Sequence, residues 1–124
     1  MEIKYYYFRG SWNRPLVTVC IAKDGDKYHR GISICHPNDR PVKKVGRVKA
    51  LGRLRQAMHK ESGAVVTPLS WNAHMVLTAV IPSNAALVDA VLPSSEAVAM
   101  GRCNVKPTPF EERLFQKPKY AEQK

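Results

Sequence analysis

The sequence predicts an α+β domain: a small antiparallel β-sheet, formed by an N-terminal meander, packed with one long basic helix and short C-terminal helices. Three observations carry this. Residues 2–9, EIKYYYFR, alternate with the two-residue period of a strand. Two further strand-like runs flank the dipeptide Asp24-Gly25, a strong hairpin signal. Residues 40–60 contain eight Lys or Arg and no Asp or Glu, and no proline interrupts them after Pro41. With 124 residues the chain accommodates a single domain, 1–124, with one core.

Taken in order, strand one sets Ile3, Tyr5 and Tyr7 against Lys4, Tyr6 and Phe8, and Gly10 to Pro15 breaks it. Leu16 to Ala22 and Lys27 to Cys35 complete the meander around Lys23-Asp24-Gly25-Asp26. In the following HPNDRP, Asn38 or Asp39 can cap a helix and Pro41 suits its first turn, so a helix is expected over about 40–60. At ~100° per residue, Gly46, Ala50 and Ala57 adjoin Leu51, Leu54 and Met58 in one apolar arc. The small side of that arc admits close approach of a strand or another helix. Ser62-Gly63 ends the helix. Residues 73–81, AHMVLTAVI, favour a buried strand bracketed by Thr67-Pro68 and Pro82-Ser83. Ser83 and Ser94 look like N-caps for helices at about 84–92 and 95–100, the second ending at Gly101. Residues 102–124 read as an irregular tail, with one turn at Phe110 to Phe115.

The formal charge of +10 is uneven. Residues 1–63 hold 14 Lys/Arg against 5 Asp/Glu, residues 64–101 hold none against 2, and residues 102–124 hold 6 against 3. A basic globular domain of this kind expects anionic partners, and the acid-poor, apolar stretch 64–101 is where a subunit contact would form. Cys20, Cys35 and Cys103 show no CxxC spacing, and Cys35-His36 lacks the second spaced pair that zinc requires. The N-terminus is not signal-like, and the apolar run Trp71 to Ile81 stops at Pro82, short of a membrane span. The expectation is a cytoplasmic protein without metal or cofactor.

Catalytic motifs are absent: no GxGxxG, P-loop, HExxH or GxSxG. An enzyme that cleaves a nucleotide with a His and one of the few carboxylates is the minor expectation. Binding is better supported, because an ordinary exposed helix interleaves both signs and 40–60 does not. Lys43 and Arg47 fall inside the apolar arc, one turn apart near the helix N-terminus, where backbone amides and the helix dipole also favour an anion. Tyr5, Tyr6, Tyr7 and Phe8 either cover the sheet or stack on bases. Trp12 and Arg9, in and beside the loop after strand one, are the better candidates for exposed contacts with a ligand.

The run RGISICHPNDRPVKKVGRVKALGR resembles a motif of small bacteriophage proteins, among them the Thoeris anti-defence family of signalling-nucleotide sponges. The resemblance covers about residues 30–55. It implies a phage protein in the infected bacterial cytoplasm that binds a cyclic ADP-ribose-type signal without cleaving it. The positions it carries over are Lys43, Lys44, Gly46, Arg47, Ala50, Gly52 and Arg53. Convergent cations plus backbone donors suit a diphosphate, and Asn38, Arg40, Lys43 and Arg47 offer both. In a homo-oligomer built through 64–101, Arg102 and Arg113 are expected to reach a pocket at the subunit contact. The alternatives are a basic nucleic-acid-binding protein, or a protein-directed inhibitor of a host nuclease or CRISPR complex.

Overall fold

A computed structural model describes residues 1–9, 15–35, 42–68 and 97–116. Strands β1 (Glu2–Arg9), β2 (Pro15–Asp24) and β3 (Lys27–Ile34) form the expected meander. Helix α1 (Lys43–His59) follows, then β4 (Ala64–Pro68), β5 (Ala97–Arg102) and a short helix α2 (Pro109–Leu114). The five strands make one antiparallel sheet in the order β1-β2-β3-β5-β4, so the fold is α+β. Gly25, at φ 64°, supplies the left-handed turn residue between β2 and β3.

Strand alternation gives the sheet two dissimilar faces. On one, Ile3, Tyr5, Cys20 and Ala22 pack against Ala50, Leu51 and Leu54 of α1. The residues beneath the helix axis are small for a reason. A Cβ on Gly31 would collide with the Ala50 carbonyl oxygen, and one on Gly101 with that of Arg53, so the helix backbone rests directly on β3 and β5. Two side-chain bonds fix this contact: Ser33 Oγ donates to the Gly46 carbonyl at 2.9 Å, and Arg53 Nη1 donates to the Ile32 carbonyl at 2.7 Å.

On the other face Val17, Val19, Ile21 and Ile32 are fully buried, and the C-terminal segment docks beside them. Thr108 and Glu111 form a reciprocal capping box that starts α2. Glu111 then turns wholly inward, where Arg30 holds both its carboxylate oxygens and Tyr6 Oη donates to it at 2.6 Å. Phe110 meets the Tyr6 ring edge-on and Phe115 meets Tyr28 in the same way.

Several expectations change. The helix begins at Lys43 with Val42 as its N-cap, and Val42 makes no side-chain capping bond. Met58 is 41% exposed rather than part of the buried arc, because Ala50, Leu54 and Ala57 alone meet the sheet closely enough to be sealed. Residues 97–102 form a strand, not the end of a 95–100 helix, since pairing with β3 and β4 beneath α1 outweighs a weak local preference. Ala64–Pro68 is a strand that was not anticipated, and residues 109–114 are helical and anchored instead of an irregular tail. The strand expected at 73–81 and the helix expected at 84–92 lie outside the described residues. No helix among the described residues is long and apolar enough to cross a membrane.

Candidate functional site

The first turns of α1 lie over β2 and β3, and their long side chains reach Tyr7 on β1, where three cations gather on one aromatic ring. Tyr7 and Arg9 are two apart on β1 and share the α1 face, so the Arg9 guanidinium carbon lies 5.7 Å from the centroid of the Tyr7 ring. Lys43 Nζ, from the first turn of α1, lies 5.2 Å from the same centroid. Arg47, one turn on, donates through Nη1 to Tyr7 Oη at 3.4 Å. One ring offers about 0.5–1 kcal/mol to a cation at an exposed site. Two unit charges ~6 Å apart in water already repel by about 0.7 kcal/mol before screening. The three cations therefore repel one another about as strongly as the ring attracts each of them.

The position of the cluster adds to that repulsion. The first turn of a helix presents unbonded N–H groups and the positive end of the dipole. Here the N-cap makes no side-chain bond, the first turn holds no acidic residue, and Lys43 and Lys44 stand in it. Placing cations there runs against the helix's own electrostatics.

Beyond the corner, side chains of α1 and β1 continue to face one another. Arg47, Leu51 and Arg55 succeed one another at four-residue intervals and so line one side of α1. Opposite them stand Tyr7, Tyr5 and Ile3, partly buried on β1. Arg47 and Arg55 both act electrostatically on the Tyr5 phenol, whose pKa burial nonetheless raises. Beneath it, burial pushes the Cys20 thiol up to about 11, so this cysteine stays protonated and packs as an apolar group. The floor is thus aromatic and neutral, and the wall is cationic.

The outer surface of α1 carries Lys44 and Lys49, both exposed, around the exposed side chains of Val45 and Val48. Inside the sheet, by contrast, Arg30 and Glu111 form a buried ion pair. Burial pushes the Glu111 carboxyl up, but the bonds from Arg30, Tyr6 and the Thr108 backbone outweigh it and hold the carboxyl below its usual value. The same pairing raises Arg30 against the opposing effect of burial, and burial with the neighbouring carboxylate raises Tyr6.

Of the residues expected to bind ligand, the structure brings Arg9, Lys43 and Arg47 together. Arg53 is turned under the helix onto the Ile32 carbonyl, and burial lowers its pKa. Arg102 neighbours Arg30 in the β3–β5 ladder and Arg113 lies on α2, so both belong to the face opposite α1 and are exposed there. Trp12, Asn38 and Arg40 lie outside the described residues. Sequence reasoning missed Tyr7 as the centre of the cluster. Its signal was the shared parity of Tyr7 and Arg9 on β1.

A separate cleft of about 330 Å³ opens at the far end of α1, lined by Asp24, Lys27, His29, Lys60, Glu61 and Asn104 among others. Its charges are mixed, and His29 Nδ1 is taken up by the Asn104 backbone N–H at 3.2 Å. Among the described residues no group of three or more His, Cys, Asp or Glu is arranged to hold a metal ion. Compared with known protein families, curated proteins and solved structures, the chain matches none.

Proposed function

We propose that this chain binds a phosphorylated nucleotide at the Tyr7 corner and acts by holding it, not by converting it. One observation carries the reading: Arg9, Lys43 and Arg47 converge on one ring beside a helix N-terminus that has no capping side chain and no acidic residue in its first turn. A phosphate or diphosphate complements both the cations and the positive end of the helix dipole. The aromatic floor of Tyr5 and Tyr7 suits a flat base or sugar edge. The resemblance of residues 30–55 to signalling-nucleotide sponges narrows the ligand to a cyclic ADP-ribose-type signal, and with it an anti-defence role in a bacterial cytoplasm.

The second reading is a nucleic-acid strand laid along α1. The exposed Lys44, Lys49 and Arg55 favour it, because they extend the positive surface beyond the corner. A backbone tracked by several cations binds with affinity that falls steeply between about 50 and 200 mM salt.

Native mass spectrometry of the chain, mixed with cyclic nucleotides, cyclic ADP-ribose isomers and a short oligonucleotide, separates the two. Retention of one small nucleotide of unchanged mass supports sequestration. Retention of the oligonucleotide alone replaces it with the second reading, and a nucleotide returned altered makes the chain an enzyme.

A further inference from the structure

Among the described residues the outer edge of β1 is unpaired, and we infer that it joins a second copy of this chain across a two-fold axis. β1 is an edge strand: β2 lies on one side, and no described strand lies on the other. It is eight residues long, contains no proline and carries a single lysine, Lys4, in its interior. Proteins that keep such an edge solvated blunt it with prolines, bulges or several charges. Here the ladder with β2 stays regular from Glu2 to Phe8, and its one irregularity falls between Phe8 and Arg9.

The proposed register is centred on that regular stretch. Its midpoint is Tyr5, so antiparallel pairing of two copies about Tyr5 sets Ile3 opposite Tyr7 and Lys4 opposite Tyr6 of the other chain. Glu2 then falls opposite Phe8. All pairs keep their faces, as a two-fold axis normal to the sheet requires. No like charges stand directly opposite, and aromatic, aliphatic and cation–aromatic neighbours are favourable cross-strand pairs. The self-complementarity is a property of the sequence EIKYYYF and needs no ligand.

The consequence for the site does rest on the nucleotide reading. Paired strands lie about 4.8 Å apart, so the two β1 floors become one, with an α1 on each side. Tyr5 and Tyr7 of both copies line its base, and both sets of Arg9, Lys43 and Arg47 face the same groove. Two separate α1–β1 surfaces become one groove. The doubled cations oppose pairing, and a polyphosphate anion between them favours it.

The test combines sedimentation velocity of the full chain over a range of concentrations with hydrogen exchange of the β1 amides, each with and without inorganic tripolyphosphate. In a monomer the alternate β1 amides that point away from β2 exchange freely. The inference expects a dimer whose formation slows those amides about tenfold or more, with tripolyphosphate shifting dimerisation to lower concentration. A monomer at every concentration overturns it, as does a dimer whose outward β1 amides stay unprotected. Concentration-dependent protection that tripolyphosphate leaves unchanged keeps the pairing and removes the composite groove, so failure of the phosphate reading is told apart from failure of the interface.

Discussion

The two faces of the sheet use positive charge in opposite ways. On the α2 face, Arg30 is buried and holds a carboxylate that Tyr6 and a backbone amide also bond, so the buried charges there are paired inside the molecule. On the α1 face, Lys43, Lys44, Arg47, Lys49 and Arg55 remain exposed, and the helix that carries them contains no acidic residue. Buried charge must be paired for the chain to fold, whereas exposed charge of one sign is available for something outside. The contrast separates residues that hold the fold from residues that the proposed function uses.

Breaking the α2 face should have the largest effect. Arg30→Ala leaves the Glu111 carboxylate buried without its partner and should cost about 3–5 kcal/mol in chemical denaturation. Gly31→Ala forces a methyl group into the Ala50 carbonyl oxygen. Because backbone cannot retreat as a side chain can, the substitution should destabilise by about 1–3 kcal/mol or more, read from the same denaturation curves.

Acidity tests the same network with no substitution. The Glu111 carboxyl titrates lower in the folded chain than in the unfolded one. Its contribution to stability is therefore fully present above the unfolded value, near 4.3, and is lost as pH falls through the lower folded value. Wild type should lose stability across that window, and Glu111→Gln should start less stable and show a shallower loss. Smallest of all should be the effect of Lys49→Ala on folding, within about 0.5 kcal/mol, since its side chain is exposed on the outer surface of α1.

The division between the faces was only partly legible in the sequence. The alternation of EIKYYYFR and the Asp24-Gly25 turn determine the meander, because both signals are local and no distant contact opposes them. The acid-free helix was equally plain. Residues 97–102 were not, since AVAMGR is built of small residues that suit helix or strand, and docking of Gly101 beneath the Arg53 carbonyl decides between them. Glu111 was passed over as a tail residue although Thr108 and Glu111 spell a capping box, and its burial depends on Arg30, 81 positions away. The helix wheel placed Lys43 and Arg47 on the apolar arc. It could not show that the side chains of Lys43 and Arg47 reach outward to Tyr7 on β1 instead of into the core.

The central claim is that the Tyr7 corner binds phosphate while contributing little to the fold. The direct measurement is a binding titration of tripolyphosphate against wild type and the double variant Lys43→Glu/Arg47→Glu, with thermal melting of both. Affinity for the double variant should fall at least about a hundredfold, as expected when two charge-assisted contacts become repulsive, while the melting temperature stays within a few degrees or rises. Unchanged affinity in a folded double variant would contradict the account and return these cations to the role of an ordinary solvated helix face.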